Sequence, residues 1–264
     1  NITQPMPQIL GQFDAVISCV ASRSGGREDA WAIDHAAQRN ILQVAQRLHV
    51  KQFILLSAIC VQNPKLPFQF AKLAFEKALI TSGLTYSIVR PTAFFKSLSG
   101  QIPRLRKGKA FLVFGNGELT ACKPISDDDL GNFMVDCIAD PAKHNKILPI
   151  GGPGPAFTPR DQARALFSLL GRPIKLRRVP VALLRIISGA LRLAGVLIPA
   201  AQRKADLAEI GLYYATESML VWNGPEQGYS EENTTSTGTE HLFDHYAKVM
   251  RSGAEVPRGD HSVF

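Results

Sequence analysis

Two short runs of the chain, Phe13 to Ala21 (FDAVISCVA) and Gln52 to Ala58 (QFILLSA), lack the strict alternation of polar and apolar residues that a half-covered strand shows. Strands of this kind are covered on both faces, which places them inside a parallel sheet flanked by helices. Between them, Ile33, Ala37, Ile41, Val44 and Leu48 recur at helical spacing over Trp31 to Leu48. A second helical stretch, Phe70 to Thr81, is closed by Gly83 and followed by a third strand, Thr85 to Val89, that ends in Arg90-Pro91. Strand, helix, strand, helix, strand is the pattern of a doubly wound α/β sheet.

Downstream, Phe111 to Phe114 and the turn Gly115-Asn116-Gly117 predict a short strand, and Lys146 to Ile150 another. Ser126 and Asp129 have capping-box spacing and open a helix through Ile138. Thr158, Pro159 and Asp161 supply an N-cap, a first-turn proline and a carboxylate at the third position of a helix that runs to Leu170 and stops at Gly171. The pattern then changes: Val181 to Pro199 is strongly apolar, and Asn223 to Thr239 is rich in Glu, Thr, Ser and Gly. The expected division is a Rossmann-like dinucleotide-binding part over 1–152 and a smaller, mostly helical substrate-side lobe over 153–264. Val181 to Ala201 is long enough to span a bilayer, but Arg185, Ser188 and Arg192 share one helical face. An amphipathic helix follows, covering a substrate or lying on a membrane surface, since arginines inside a bilayer are costly.

The net charge of +8 suits an acidic small molecule, an anionic membrane surface or nucleic acid. The last is not expected, because the basic groups lack interleaved aromatics. Cys19, Cys60, Cys122 and Cys137 are widely spaced, which predicts reduced thiols and no zinc site. His241 and His245 stand four apart without an HExxH glutamate, so they read as an exposed helix face and no metal is expected. Asn1 to Pro7 carries neither an initiator Met nor a signal-peptide layout and reads as a cut end.

The succession FDAVISCVAS, Asp34 and Asn40 on the next helix, ILLSA, a Lys on the following helix, YSIVRPTAFF, KPISDDDL and ILPIGGPG resembles the extended, atypical, NmrA-like short-chain dehydrogenases. Longer runs (ASRSGGREDAWAID, LLSAICVQNP, IVRPTAFFKSLSGQ, ACKPIS and the terminal GDHSVF) are similar to the divinyl chlorophyllide 8-vinyl reductase family. The resemblance implies a Rossmann-like parallel sheet lacking its N-terminal portion. Relatives begin with a strand, a GxxGxxG loop and a helix whose N-terminus receives the cofactor pyrophosphate. Asn1-Ile2-Thr3 then corresponds to the end of a third strand, with roughly 60 or more residues expected before it.

The same resemblance implies NADPH as cofactor and a tetrapyrrole substrate, with the 8-vinyl group of a 3,8-divinyl chlorophyllide reduced to ethyl. The implied compartment is the cytoplasm of a photosynthetic bacterium, at the inner face of its membrane, or a plastid. Family members use a Ser after one strand and a Tyr-x-x-x-Lys on the next helix; here Ser57 and Lys72 stand at those positions, and Phe68 replaces the Tyr. Ser57 and Lys72 are thus the candidate catalytic pair, placing the nicotinamide end. Cys19, Val20, Ala21, Ser22, Arg23, Asn40, Pro91, Thr92, Ala93 and Phe94 are the further cofactor candidates. Phe68, Phe94 and Phe95 are expected to line an apolar slot, and Lys96 and Lys123 to meet a pigment carboxylate. The ordinary alternatives are core positions for the strand residues and phenylalanines, and a solvated surface for the lysines. A phenylalanine cannot protonate a developing alkoxide, so the replacement favours C=C over ketone reduction. It suits equally a nucleotide sensor or assembly factor without turnover, and a quinone or isoflavone-type reductase remains the third reading.

Overall fold

A computed structural model describes residues 11–252. In chain order the first elements are β1 (Ala15–Ser18), α1 (Arg27–Ala30), a π-helical stretch (Trp31–Ala37), α2 (Gln38–Arg47), β2 (Gln52–Leu56), α3 (Pro67–Ile80) and β3 (Thr85–Pro91). There follow α4 (Phe95–Leu98), α5 (Ile102–Arg106), β4 (Phe111–Phe114), α6 (Asp127–Ala139) and β5 (Lys146–Gly151). The chain continues through α7 (Pro159–Leu169), β6 (Leu176–Val179), α8 (Val181–Gly195), α9 (Pro199–Thr216), three two-residue strands β7 (Val221–Trp222), β8 (Tyr229–Ser230) and β9 (Thr235–Ser236), and α10 (Leu242–Ser252).

The chain packs as two compact units, Asn1–Pro91 with Leu130–Ile150 and Thr92–Asp129 with Gly151–Phe264. Where the sequence placed the change near residue 153, the packing also groups 92–129 with the C-terminal part.

In the first unit β1, β2, β3 and β5 lie side by side in that order and run parallel, the direction expected of the α/β pattern. β2 is buried at Gln52, Phe53, Ile54 and Leu55, as its unbroken apolar run requires. β1 differs: Ile17 is 40% exposed and Ala15 and Val16 are half-buried, so this strand is half covered. The helix predicted over 31–48 begins earlier and contains a π-helical stretch centred on Asp34. Leu42 and Ala45 from α2, Phe53 and Leu55 from β2, Phe75 and Leu79 from α3, and Ile88 from β3 form one apolar core.

The second unit has its own core. Phe95, Ile102, Leu105, Phe111, Val113, Leu166, Phe167, Leu242 and Tyr246 are packed together, with β4 and β6 paired in parallel beside them. The predicted cap of α7 is present in full: the Thr158 hydroxyl accepts from the Asp161 amide, and the Asp161 carboxylate accepts from Thr158. The box at Ser126 is only half made. Ser126 Oγ accepts the Asp129 amide at 3.0 Å, while the Asp129 carboxylate turns to the amides of Thr239 and Glu240, at 3.0 and 2.9 Å. Gly238, at φ +79°, lets the chain pass against that carboxylate, where a Cβ would collide with it.

One expectation needs correcting in this unit. The helix read at His241 and His245 is present as α10, but His241 precedes it and His245 is half-buried instead of on an exposed face. The His245 ring lies 5.4 Å from that of Phe95 with Nε2 3.2 Å from Ser99 Oγ, and burial pushes its pKa down against the opposing charge of Glu240. The readings of Asn1-Ile2-Thr3 and of the terminal GDHSVF lie outside the described residues.

Candidate active site

The densest arrangement of buried polar groups in the first unit is built on α3. Phe68, Lys72 and Glu76 are spaced by four on that helix, hence on one face. Pro67 starts the helix, and Gln69 fixes its entry by accepting the backbone amides of Lys65 and Leu66 and donating to the Cys60 carbonyl.

Lys72 Nζ pairs with Asp34 Oδ1 at 2.9 Å, and the side chains are 12% and 0% exposed. Asp34 also accepts the Ser22 amide at 3.2 Å and the Ser22 hydroxyl at 2.6 Å. Two residues named from the sequence, Ser22 and Lys72, are thereby joined through a third that had served only as a landmark of resemblance. Pairing is what makes these charges tolerable, since an isolated buried ion costs several kcal/mol or more.

One turn along, Ser57 Oγ donates to Glu76 Oε1 at 2.5 Å, and Arg90 Nε donates to the same oxygen at 3.1 Å while its Nη2 bonds Oε2. Glu76 is 2% exposed and its carboxylate is held by the guanidinium in two-point fashion. A hydroxyl has one proton to give, and Ser57 has given it to Glu76. Toward any ligand, Ser57 then presents lone pairs alone. Its own amide donates to the Val89 carbonyl at 2.8 Å, so the loop after β2 is fastened to β3.

At the C-terminal end of β1, Ser18 Oγ donates to the Gln38 side chain at 2.7 Å and Gln38 donates to the Val20 carbonyl at 2.9 Å. Cys19, Ala21 and Arg23 are exposed and Val20 is half-buried, so these residues are an accessible strand end and not core. Asn40 is half-buried on α2, two residues beyond Gln38.

The turn Ser22 to Gly26 tests whether a pyrophosphate fits. Asp29 Oδ2 already accepts both the Ser24 amide and the Ser24 hydroxyl, each at 2.8 Å, and Glu28 stands beside it in the same first turn of α1. The Ser24 amide and hydroxyl that a phosphate would need are taken by the chain's own Asp29, so this turn is not a diphosphate cradle.

In the second unit, Phe94 is half-buried and pairs with Ile125, while Phe95 is 4% exposed and belongs to the core, so its ring is not free to stack on a ligand. Thr92 donates to the Lys123 carbonyl, and Ala93 accepts the Ile125 amide. Pro91, at the end of β3 in the first unit, is buried. The two lysines part company. Lys96 is exposed and pairs with Asp127 at 3.2 Å, the solvated surface that the sequence allowed. Lys123 is 7% exposed, and its ammonium donates to the Thr234 carbonyl at 3.1 Å and to Ser236 Oγ at 2.5 Å. It lines a polar cavity of about 730 Å³ with Asn223, Gln227, Tyr229 and Glu232. Both of these acceptors are neutral, and the negative charge of the cavity comes from Glu231 and Glu232, which line it as well.

Reading the sequence missed Glu76, Arg90 and Gln38. The signal for Glu76 was present: an acid between Phe75 and Leu79, both buried, four residues after a lysine. Among the described residues no cluster of His, Cys, Asp and Glu could hold a metal ion.

The model of the NAD(P)H-binding family matches residues 3–141. The chain is 49% identical to the chloroplastic divinyl chlorophyllide a 8-vinyl-reductase of Arabidopsis thaliana, over 91% of this chain and 59% of that protein. It is 47% identical to the protein of the same name from Cucumis sativus, over 96% of this chain and 62% of that one. It thus spans about three fifths of the length of these relatives. Among solved structures, the NADPH-dependent quinone oxidoreductase QOR2 of Escherichia coli, complexed with NADPH, superposes with a TM-score of 0.60 at 17% identity, covering 90% of this chain and 76% of that one. At that identity the likeness speaks to the parallel α/β fold alone.

Proposed function

From the premise that the chain belongs to the NAD(P)H-binding family, we propose that it is the larger part of an NADPH-dependent reductase that converts the 8-vinyl group of a 3,8-divinyl chlorophyllide to ethyl. The observation that carries this reading is the chemistry of α3. Phe68 stands four residues before Lys72 where a proton donor would be needed for a carbonyl, and the one proton of Ser57 is committed to Glu76. A ketone reductase must protonate an alkoxide as the hydride arrives. Hydride addition to a vinyl group conjugated with a macrocycle spreads the negative charge over the ring instead, so no donor is needed at a developing alkoxide, and the proton that completes the ethyl group is taken from solvent after the hydride has been transferred.

NADPH supplies the hydride when bound. Lys72, held in place by Asp34, and Ser57, offering lone pairs, orient the nicotinamide end, and Phe68 keeps the reacting face dry. The exposed strand end Cys19 to Arg23 contacts the cofactor. Lys123 takes a pigment carboxylate. The compartment follows the pathway: a plastid, as in the relatives, or the cytoplasm of a photosynthetic bacterium.

The assay is chromatographic separation of divinyl and monovinyl pigment after incubation with NADPH, alongside a panel of quinones. Phe68→Tyr gives no gain, because a phenol there has no alkoxide to protonate and brings an unsatisfied hydroxyl at a cost of about 1–3 kcal/mol. Lys72→Ala lowers turnover by about 10- to 1000-fold, the range for lost positioning. A folded, NADPH-binding protein that yields no monovinyl product with any pigment overturns the substrate, and NADPH binding without oxidation by any acceptor turns the reading to a sensor.

A further inference from the structure

α8 is amphipathic, but its faces are not arranged as a core helix would have them. Val181, Leu184, Ser188, Leu191 and Gly195 are the covered positions, and α8 packs on α9. A Cβ at Gly195 would stand 3.0 Å from Gln202 Cα, so the glycine permits the close approach of the two helices. The other face, running through Leu183, Ile186 and Leu193 and continued by Leu197 in the turn, is apolar as well, and it is exposed. Ile186 is 68% exposed, Leu193 77%, Val196 79%, Leu197 86% and Ile198 54%, so the exposure is greatest at the turn into α9. Soluble proteins rarely leave so continuous an apolar stripe in water.

The charge along this stretch of chain is mainly positive, Asp206 and Glu209 of α9 being the first acids beyond it. From Arg172 to Lys204 the chain carries eight lysines and arginines and no aspartate or glutamate. All eight are exposed. Arg185 and Arg192 are seven apart and so flank the stripe on one side, Arg192 also reaching Glu209 on α9 at 3.8 Å. A second copy of the chain would set these cations against their own equivalents across a two-fold interface. No helix among the described residues is long and apolar enough to cross a membrane. With 15 residues, α8 reaches about 22 Å, short of the ~30 Å hydrocarbon core.

We propose that the α8–α9 hairpin docks the protein on the surface of an anionic lipid bilayer. Leu193, Val196, Leu197 and Ile198 enter the acyl boundary, and the arginines and lysines meet the headgroups, the division of labour that interfacial helices use. The proposal rests on exposure and charge alone and stands or falls apart from the substrate reading.

Co-sedimentation of the chain with vesicles tests it, comparing phosphatidylcholine alone with a phosphatidylcholine–phosphatidylglycerol mixture. Binding to the anionic mixture is at least about tenfold tighter and weakens as salt is raised. Leu193→Glu combined with Leu197→Glu abolishes it while circular dichroism and melting stay unchanged, since both side chains are exposed. Arg185→Gln with Arg203→Gln weakens it by about tenfold or more. Equal pelleting with and without anionic lipid, or undiminished binding by the double glutamate variant, overturns the proposal. So does a dimer in sedimentation velocity that the double glutamate variant dissolves, which assigns the face to self-association.

Discussion

The α3 network of the first unit and the α8–α9 hairpin of the second depart from ordinary partitioning in opposite senses. The first takes Asp34, Lys72, Glu76 and Arg90 out of water, and each finds a partner of opposite charge there. The second leaves leucines and isoleucines exposed, with none of the described residues packed over them. Folding alone favours neither arrangement, because buried ion pairs seldom beat a well-packed apolar substitute and exposed leucines forfeit their burial energy. Such departures gather where a protein must do something besides fold. The difference lies in where the missing partner comes from: the chain supplies it internally on α3 and leaves it to the surroundings on α8.

The comparison breaks most visibly at Glu76. Glu76→Ala removes the acceptor of Ser57 and the counterion of Arg90 together, leaving a guanidinium 12% exposed and unpaired. The expected loss is about 3–5 kcal/mol in urea unfolding followed by circular dichroism. A loss below about 1 kcal/mol would mean that water reaches Arg90 readily and that the network is not a closed one.

A smaller effect sharpens the comparison at a site where local rules suffice. Thr158→Ala removes the cap of α7 and costs about 1 kcal/mol. Burial by itself pushes the Asp161 carboxyl up, but hydrogen bonds from the Thr158 hydroxyl and amide, with Arg164, outweigh it and hold its pKa below the usual aspartate value. A carboxyl lowered in the folded state contributes stability above its unfolded pKa and loses it as pH falls through the folded one. The gap between wild type and Thr158→Ala in chemical denaturation is therefore full at neutral pH and narrows in acid. A gap that widened in acid would refute the cap as its source.

That cap was legible in the sequence because its partners lie within one turn, and so were the parallel strands, although the apolar run of β1 is only half covered where burial on both faces was expected. Ser57, Lys72 and Phe68 were also legible, though only by resemblance. Their partners were not. Asp34 reaches Lys72 from a π-helical stretch, and Arg90 reaches Glu76 from β3; periodicity sets the face of an element but not which element it meets. Lys123 shows the same limit, since a lysine between Cys122 and Pro124 gives no sign of the β9 hydroxyl that receives it. α8 shows it most plainly. The sequence set Arg185, Ser188 and Arg192 on one polar face, whereas the serine is buried against its neighbours and both the arginines and an apolar stripe are outside.

The smallest expected effect tests that inversion. Leu197→Ser deletes a large apolar side chain, which in a packed interior costs about 2–5 kcal/mol. At 86% exposure Leu197 has little packing to lose, and surface substitutions away from special features stay within about 0.5 kcal/mol. The unfolding midpoint in urea and its slope are thus expected to match wild type, while Phe75→Ala, in the core of the first unit at 1% exposure, loses about 3–5 kcal/mol under the same conditions. If Leu197→Ser were also to lose more than about 1 kcal/mol in lipid-free solution, the stripe would be covered by protein, whether its own chain or another copy, and the contrast between the two regions would collapse.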